Sequence, residues 1–487
     1  MKKLKNSFYN VLVPVSETNE YLIYNLVSGG LERLDWEEGT FLESLQLKGS
    51  SVQLFEGDPN QFNLESLRSK GFLVDEKLDE KGCYEDFYHR KKEILYDKEE
   101  ASINLTVGTT IVCNMGCPYC FEFVKPNKSL TDEENLRAII YYLQDMILKS
   151  PVKIWKSLNV TWYGGEPLIN KNAIAKLTPM LKKLCQENNM AYSANIITNG
   201  ILLTAANWSL LVDNDVSNVQ ITIDGPQQTH EKSRPLKGKK DKKNYFQILE
   251  NLSEMPKNIK ASIRINTDKE IAACIDDLLR DFDIFGLWPM KYDQITFKTA
   301  WLRTYEEAAE ENIENRFEVD DFFDFQENFR WKLLTRYNHW AEKQNLPKAK
   351  LRWNLPEIQD ECATWVSPYS LVVDADGNIH KCWETIHDDK EAISHVSQGY
   401  KLDLHRPYMK YDRTELNAEC ASCKFLPVCD KLSCSHQAIK DGKPECTSWK
   451  TKTGESLKQQ YLLTVQHPDL ISFPKHHSLE NTGHSNK

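Results

Sequence analysis

The sequence predicts an α/β protein in which a core of parallel βα units lies between a small α+β segment and a Cys-rich segment. Strand-like and helix-like patterns alternate six times through the central part of the chain, which is typical of such units. The 487 residues, 40% of them hydrophobic and 27% charged, suggest about three domains and exclude a wholly disordered chain or a fibre. The 13 cysteines fall mainly into two clusters, which divide the chain and supply its chemistry.

The charge balance argues against nucleic acid as a partner, because 61 Lys and Arg face 71 Asp and Glu for a net charge of −10. No apolar run reaches the roughly 18–20 residues of a membrane span. The basic start at 1–6 is followed by no apolar stretch, so neither a signal peptide nor a membrane partner is predicted. We therefore expect a cytoplasmic protein, in which clustered cysteines are metal ligands or reactive thiols and not disulfides.

Residues 1–95 form the predicted α+β segment, which we expect to be winged-helix-like. Its elements are a hairpin of strands at 8–15 and 21–27, helical patterns at 37–47 and 64–70, a short strand at 72–74, and a linking helix at 84–100. Two interpretations stay open. The segment is either a structural cap on the next domain or a peptide-docking module whose exposed strand edge pairs with an extended part of a substrate.

Residues 96–300 contain the six predicted βα units. The strands are predicted at 103–107, 158–163, 192–197, 219–223, 261–266 and 294–298, and the helices at 130–148, 173–188, 205–213, 245–252 and 269–282. These units build either an open parallel sheet or a partial barrel. In both cases the active site belongs at the carboxyl ends of the strands.

The loops after the first four of these strands are rich in polar and small residues. The first loop carries Cys113, Cys117 and Cys120 in a C-x3-C-x2-C arrangement. Three thiolates this close can hold three corners of an iron–sulfur cube and leave one iron without a protein ligand, whereas a zinc site would normally have a fourth Cys or His nearby. The next loops are Gly164-Gly165-Glu166-Pro167, Thr198-Asn199-Gly200 and Thr222-Ile223-Asp224-Gly225-Pro226, the last followed by His230 and Arg234.

Together these motifs resemble those of the radical S-adenosylmethionine superfamily, across essentially the whole central segment. The resemblance implies a partial (β/α)6 TIM-like barrel and a [4Fe-4S] cluster on Cys113, Cys117 and Cys120. The open iron would bind the amino and carboxylate groups of S-adenosylmethionine. Reductive cleavage would then release methionine and a 5′-deoxyadenosyl radical that takes a hydrogen atom from the substrate.

The resemblance also implies which residues contact S-adenosylmethionine. Tyr119 would lie against the adenine, and Glu166 would bind the methionine amine. The remaining candidates are Gly165 for close backbone approach, Asn199, Thr222 and Arg234 near the ribose and carboxylate, and Arg264 for either of those two groups.

The C-terminal part of the chain begins with a predicted helical connector at 301–361 and continues with a Cys-rich segment at 362–450. Residues 474–487 are polar, and we expect them to be disordered. The Cys-rich segment holds Cys362, Cys382, Cys420, Cys423, Cys429, Cys434 and Cys446. So many cysteines exceed what packing needs, and metal is the expected reason. Two zinc sites would usually show two paired-ligand knuckles, and only Cys420 and Cys423 form such a pair.

The spacing of these cysteines resembles the SPASM extension of radical enzymes. The resemblance implies one auxiliary [4Fe-4S] cluster on Cys420, Cys423, Cys429 and Cys446, and a second, nearer the barrel, on Cys362, Cys382 and Cys434. The chain would then hold three [4Fe-4S] clusters together with S-adenosylmethionine. One departure is visible, since four residues and not three separate Cys429 from Cys434.

The resemblance implies an enzyme that modifies peptides or proteins. We favour a maturase of a ribosomally made precursor peptide that forms a thioether or another crosslink and receives electrons from a donor such as flavodoxin or ferredoxin. A sulfatase-maturating enzyme is the alternative, but enzymes of that type carry an Asp directly after the Cys of the G-x4-C element, where this chain has Trp383 followed by Glu384. A non-enzymatic iron–sulfur electron carrier would leave the polar motifs unexplained.

Overall fold

A computed structural model describes residues 3–48, 51–53, 64–96, 98–120, 127–238, 243–302 and 315–474. The chain folds into two compact units. Unit 1 contains Met1–Glu93, Glu327–Cys362 and Asp412–Lys487, and unit 2 contains Ile94–Gln326 and Ala363–Tyr411. The units therefore do not follow the chain in the linear order of the predicted segments, because the Cys-rich segment is divided between them. Most of the tail predicted to be disordered lies outside the described residues.

The N-terminal part of unit 1 contains two antiparallel sheets, with the strand orders β5-β1-β6 and β2-β3-β4. Its elements are β1 Lys3–Asn6, β2 Asn10–Val15, β3 Glu20–Asn25, β4 Leu31–Asp35, α1 Trp36–Lys48, β5 Ser51–Gln53, α2 Leu64–Ser69, β6 Leu73–Asp75 and α3 Glu80–Glu93. The predicted hairpin is β2 and β3, which pair from Asn10 with Asn25 to Val15 with Glu20. Leu4, Ile23, Leu42 and Phe72 are fully buried between the sheets and the helices and form the core of this part.

Unit 2 is built on parallel strands that pair in sequence order from β7 to β12. Its elements up to this point are β7 Glu100–Thr110, α4 Glu133–Lys149, β8 Ile154–Gly164, α5 Lys171–Glu187, β9 Ala191–Thr198, α6 Ala205–Asp213, β10 Val216–Thr222, α7 Gln227–Ser233, α8 Tyr245–Ser253, β11 Lys260–Thr267, α9 Lys269–Ala273, α10 Ile275–Ile284 and β12 Ile295–Trp301. Each predicted strand overlaps one of these strands. The arrangement is the predicted partial barrel of βα units.

Helix α4 shows how local sequence produces these units. The Asp132 side chain caps its first turn by accepting a hydrogen bond from the Glu134 N–H (2.9 Å). Leu136, Ile139 and Leu143 follow at three- and four-residue spacing and are almost completely buried. Each such side chain stabilises the unit by roughly 1.5–3 kcal/mol relative to exposure to water.

The sheet of unit 2 continues beyond β7 with strands from far along the chain. The later elements of this unit are α12 Ala363–Val366, β13 Ser370–Val373, β14 Asn378–His380, β15 Ser394–His395 and α13 Arg406–Met409, while helix α11, Val319–Lys343, contributes residues to both units. Strand β13 pairs parallel to β7, β14 pairs antiparallel to β13, and β15 pairs antiparallel to β14. Cys382 lies two residues after the end of β14, so this predicted ligand belongs to the barrel unit.

The other predicted auxiliary ligands lie in unit 1, on short helices and in loops. The C-terminal part of this unit contains the short helices α14 Ala418–Ala421 and α15 Ser435–Asp441 and the longer helix α16 Trp449–Gln466. Lys424 donates a hydrogen bond to the Asn10 carbonyl (3.3 Å), and the Tyr24 hydroxyl donates to the Pro356 carbonyl, so this part packs on the N-terminal sheets. Across the described ranges, no helix is both long and apolar enough to cross a membrane.

Candidate active site

The three-Cys loop follows β7 and is anchored to the segment after α7. The Gly116 N–H donates to the Pro235 carbonyl (2.8 Å), and the Lys237 N–H donates to the Asn114 carbonyl (2.9 Å). Between these contacts the Met115 side chain is fully buried. The loop is therefore held by the fold at a fixed position at the carboxyl end of the sheet.

The thiols of this loop lie close enough to influence one another. All three cysteines are free of disulfides. The pKa of Cys117 is raised to about 11, mainly by burial; Arg234 opposes the rise, and the neighbouring Cys120 and Cys113 add to it. Among the described residues, these sulfurs do not form a group within 4.8 Å of one another, the spacing that a single ion would need. The donor set fits an iron–sulfur cluster, with its larger span, better than one metal ion.

Gly165 allows the loop after β8 to pack directly on the loop after β7. A Cβ atom at this position would lie 2.3 Å from the Ile111 carbonyl oxygen and 2.5 Å from that of Val112. The Gly165 and Glu166 N–H groups donate to the carbonyls of Thr110 (2.8 Å) and Val112 (3.0 Å). Any other residue at Gly165 would push the Glu166 loop away from the cysteines.

The Glu166 carboxylate joins the end of β8 to the end of β9. It is 0% exposed, and its Oε1 accepts hydrogen bonds from the Thr198 hydroxyl (2.8 Å) and the Leu168 N–H (3.1 Å). Its Oε2 accepts from the Asn199 N–H (2.8 Å). Burial raises the pKa of Glu166, and these donors oppose the rise. The chain itself thus supplies partners to both oxygens, and binding of a substrate amine at Glu166 stays a prediction.

Asn199 connects β9 to the three-Cys loop. Its Nδ2 donates to Asn114 Oδ1 (2.6 Å) and approaches Cys113 Sγ at 3.9 Å. Its Oδ1 accepts the Ile201 N–H (3.1 Å), which fixes the orientation of the amide. The predicted residues Glu166 and Asn199 therefore lie next to each other and beside the first cysteine.

A second polar cluster surrounds the Tyr119 hydroxyl, which lies in the same loop between Cys117 and Cys120. The hydroxyl donates to Asp224 Oδ2 and accepts from Arg234 Nη1 (2.5 Å) and Asn266 Nδ2 (3.3 Å). Asp224 Oδ1 accepts the Asn266 N–H (2.9 Å). Groups from the ends of β10 and β11 and from the end of α7 thereby meet at one phenol. We name Tyr119, Asp224, Arg234 and Asn266 the Tyr119 cluster.

Charges in the Tyr119 cluster are buried and paired. Asp224 is 0% exposed, and burial raises its pKa while Arg234, 3.8 Å away, and the hydrogen bond from Tyr119 oppose the rise. The Asp224 N–H donates to His230 Nδ1 (3.1 Å), so the proton of this imidazole is on Nε2. Burial holds the pKa of His230 well below its usual value, which keeps the ring neutral. A buried ion pair needs such additional hydrogen bonds to offset its loss of hydration.

Thr222 and Arg264 lie opposite each other in the register of β10 and β11. Thr222 is buried, whereas Arg264 is exposed and donates from Nε to Asn266 Oδ1 (2.9 Å). Arg264 therefore reaches the Tyr119 cluster through Asn266. All of the predicted barrel residues lie at the carboxyl end of the sheet, and their contacts with S-adenosylmethionine stay predictions.

Several functional candidates were not predicted as site residues, namely Asp224, Asn266, Thr198 and Asn114. Asp224 lies in the Thr222-Ile223-Asp224-Gly225-Pro226 motif, and a carboxylate at a strand end was the available signal. Its importance comes from partners on other strands, which no local pattern reveals.

Trp383 follows Cys382 and occupies the position where sulfatase-maturating enzymes carry an Asp. Its ring lies 5.2 Å from that of Tyr163 at the end of β8. Both rings pack on the buried cluster that contains Ile111, Val372 and Ile386. The position is thus apolar and aromatic, and it supplies no carboxylate.

In unit 1, three of the predicted auxiliary ligands, Cys420, Cys423 and Cys446, also form a group of neighbouring thiols. Burial raises the pKa of Cys420, and the nearby Cys423 and Cys446 raise it further. Lys450 Nζ lies 3.6 Å from Cys446 Sγ. Thiolates this close repel one another, and bound iron would remove that repulsion. The donor set therefore fits an iron–sulfur cluster. The Cys362 N–H donates to the Ser433 carbonyl (2.8 Å), which places the segments of Cys362 and Cys434 side by side.

Comparison with known proteins identifies the family to which unit 2 is related. Residues 107–278 match the Radical SAM superfamily. The chain is 24% identical over 254 residues to the radical SAM cyclopropyl synthase TigE of Paramaledivibacter caminithermalis, a match that covers 49% of this chain and 52% of that protein. It is 31% identical over 122 residues to an uncharacterized protein of Methanocaldococcus jannaschii, covering 25% and 38% of the two chains. The chain therefore spans about half or less of the curated relatives that it matches.

Solved structures confirm the fold. The structure of native anSMEcpe with bound AdoMet and the Kp18Cys peptide has a TM-score of 0.55 and 15% identity, and the match covers 75% of this chain and 99% of that one. At this level of identity the likeness shows the fold alone, and it confirms the predicted partial barrel.

Proposed function

We propose that this chain, in which residues 107–278 form a radical SAM domain, modifies a ribosomally made peptide by radical chemistry, with a thioether or another crosslink as the product. The observation that carries the proposal is the convergence of buried polar groups from β8, β9, β10 and β11 on the loop of Cys113, Cys117 and Cys120. A structural loop would not need this convergence of buried charges.

Within this proposal, a [4Fe-4S] cluster and S-adenosylmethionine, when bound, supply a radical that removes hydrogen from the substrate. The chain's own residues hold Cys113, Cys117 and Cys120 in place through Asn199 on one side and the Tyr119 cluster on the other. The residues around Glu166 are almost completely buried, which excludes water from the place where radical chemistry would occur. Thr222 and Arg264, at the rim, are positioned to orient a ribose or a carboxylate.

A peptide substrate is supported by the relatives and by unit 1. The anSMEcpe structure contains bound AdoMet and a bound peptide. Among the described strands of unit 1, β4 is the last of its sheet, and a groove of about 380 Å³ runs beside it. The groove is lined by Glu20, Leu31, Glu32, Arg33, Leu34, Asp35, Phe473 and Pro474. An unpaired strand edge next to a groove suits an extended peptide that binds by strand addition.

The auxiliary cysteines fit the electron balance of such a reaction. Closure of a carbon–sulfur bond by a carbon radical releases one electron, and iron–sulfur clusters on the seven C-terminal cysteines would accept it. A flavodoxin or ferredoxin would supply the electron that starts the reaction. Trp383, packed on Tyr163, disfavours the sulfatase-maturating alternative because a tryptophan and not an Asp directly follows Cys382.

The proposal is tested with anaerobically reconstituted protein, a strong reductant and S-adenosylmethionine. We expect 5′-deoxyadenosine from the native chain and none from a variant with Cys113, Cys117 and Cys120 changed to Ala, whose auxiliary iron should remain. Cys185→Ala, which removes a buried thiol from helix α5, is the matched control and should keep full activity. Undiminished cleavage in the triple variant would refute the assignment.

The peptide part is tested separately by coexpression of this gene with each small open reading frame that neighbours it. We expect one encoded peptide to lose two hydrogen atoms, as measured by mass spectrometry, and to keep them when coexpressed with the triple variant. If the enzyme cleaves S-adenosylmethionine but none of the coexpressed peptides is modified, the substrate belongs to another class.

A further inference from the structure

Arg413 is a fully buried cation in the Cys-rich part of unit 1. Its side chain is 0% exposed. A buried guanidinium is costly unless its donors are paired, so its partners indicate why the chain tolerates the charge there. Arg413 lies outside all of the sequence motifs described above.

The guanidinium contacts three separate segments. Nε donates to Glu361 Oε1 (2.8 Å), Nη1 donates to the Leu426 carbonyl (3.5 Å), and Nη2 donates to the Ser433 hydroxyl (3.4 Å). The two longer bonds are weak individually, but all five N–H groups of an arginine project in a fixed plane. The side chain therefore fixes the three segments relative to one another.

Each contacted segment carries a predicted iron ligand. Glu361 directly precedes Cys362, and Ser433 directly precedes Cys434. The Leu426 carbonyl that Arg413 contacts also accepts the Cys429 N–H (3.3 Å). Two of these ligands, Cys362 and Cys434, belong to one predicted cluster, whereas Cys429 belongs to the other. Both ligand sets thus depend on one side chain.

The charge of Arg413 is balanced by Glu361, which is itself held in place. Glu361 Oε1 also accepts the Tyr88 hydroxyl (2.7 Å), and Tyr88 in turn accepts the Arg413 N–H (3.3 Å). Arg413 and the Cys429 N–H donate to the same carbonyl, that of Leu426, so the buried charge lies near that predicted ligand. The reduction potential of an iron–sulfur cluster depends on nearby charge and on hydrogen bonding.

We propose that Arg413 is a positioning residue shared by the two auxiliary ligand sets, and that the Arg413–Glu361 pair tunes the reduction potential of the auxiliary iron. This inference deepens the proposed function and depends on the auxiliary cysteines binding iron–sulfur clusters. Substitution of Glu361 by Gln preserves the shape of the group but leaves the buried cation unbalanced. Substitution of Arg413 by Lys preserves the charge but removes the planar set of donors.

The test is carried out on the full chain with Cys113, Cys117 and Cys120 changed to Ala, so that only auxiliary iron contributes to the signal. Redox titration monitored by electron paramagnetic resonance should show a higher midpoint potential for Glu361→Gln, because an unbalanced cation favours the reduced cluster. Arg413→Lys should keep the parent potential but lose iron to a chelator several-fold faster. Ser433→Ala is a milder change that removes one contact of Arg413, and it should also accelerate iron loss. It provides the test if Arg413→Lys fails to fold. Glu357→Gln, an exposed glutamate in the same unit, is the control and should change neither quantity.

An unchanged potential in iron-loaded Glu361→Gln, or unchanged iron loss in both Arg413→Lys and Ser433→Ala, would overturn the inference and leave the proposed function intact. A parent variant without any iron would overturn the auxiliary clusters and this inference together, while cleavage of S-adenosylmethionine by the native chain would still support the radical SAM assignment.

Discussion

The two Cys-rich regions of this protein are supported in opposite ways. Cys113, Cys117 and Cys120 lie on a loop whose neighbours are the ends of long parallel strands, and buried polar groups from four of these strands hold it. The predicted auxiliary cysteines of unit 1 lie on helices of 4 to 7 residues and the loops around them, and Cys362 and Cys446 are exposed. The first region is held by buried polar groups of a regular sheet, and we expect the second to depend more on its ligand for order.

Removal of iron is expected to have the largest effect, and to act on unit 1. Chelation of reconstituted protein should increase hydrogen exchange across the segment from Cys420 to Cys446, because metal binding supplies much of the folding free energy of small Cys-rich segments. The strands β7 to β12 should keep their protection. Equal loss of protection in both regions, measured by mass spectrometry, would show that the barrel site is not preorganised.

The next effect concerns the Glu166 carboxylate in unit 2. Glu166→Ala leaves the Thr198 hydroxyl and the N–H groups of Leu168 and Asn199 without their partner. Since each buried unsatisfied donor costs about 1–3 kcal/mol, we expect a loss of about 2–5 kcal/mol in the free energy of unfolding of the iron-free protein. Denaturant titration measures it, with Glu187→Ala at the end of α5 as the control. A stability equal to that of the control would mean that these donors find other partners.

A smaller effect is expected at the Tyr119 hydroxyl. Tyr119→Phe keeps the ring but removes the group that joins Asp224, Arg234 and Asn266, at a cost of about 1–3 kcal/mol. We also expect weaker retention of the cluster on Cys117 and Cys120, measured as iron content after gel filtration. Tyr141→Phe, at an exposed tyrosine on α4, should change neither quantity. If Tyr119→Phe keeps the native free energy of unfolding and the native iron content, the hydroxyl contributes neither to stability nor to retention of the cluster.

The smallest effect is a pH dependence at Asp374, in the turn between β13 and β14. Its carboxylate accepts the N–H groups of Asp376 (2.9 Å) and Asn378 (2.8 Å) and contacts His380 (3.2 Å). Burial acts to raise the pKa of Asp374, but the hydrogen bonds from His380 and Asn378 outweigh it and lower the pKa below its usual value. The ionised group therefore stabilises the fold above about pH 4, and that contribution is lost as the pH falls through the lowered pKa. The stability difference between the native chain and Asp374→Asn should shrink below about pH 4, and a constant difference would contradict this.

The fold of the barrel could be predicted closely because its signals are local. Alternating apolar patterns and turn residues located every strand from β7 to β12, and the predicted helix at 205–213 has the bounds of α6. The strand β13 was not predicted, because its pairing with β7 joins residues 266 positions apart and no local pattern in the sequence indicates such a distant partner. For the same reason, the sequence did not reveal that the C-terminal segments belong to the unit that begins the chain.

The site was predictable where a motif places several polar residues together. The three cysteines, Glu166 and Asn199 follow strands, and the shared edge of a parallel sheet brings them together. Asp224 and Asn266 acquire their roles from each other and from Tyr119, across three separate strand ends. Arg413 gave no signal at all, since a lone arginine in a loop is most often exposed and only the folded chain shows it to be buried.

The contacts between distant segments within unit 1 also set the order in which the two units can fold. The strands β7 to β12 each pair with the strand that precedes or follows them, so this sheet can form progressively as the ribosome extends the chain. Unit 1 has to wait, because its first strands pack against residues that are synthesised much later, as the contacts of Asn10 with Lys424, 414 positions on, and of Tyr24 with Pro356, 332 positions on, show. The strands β2 to β4 therefore lack part of their packing until those residues have left the ribosome.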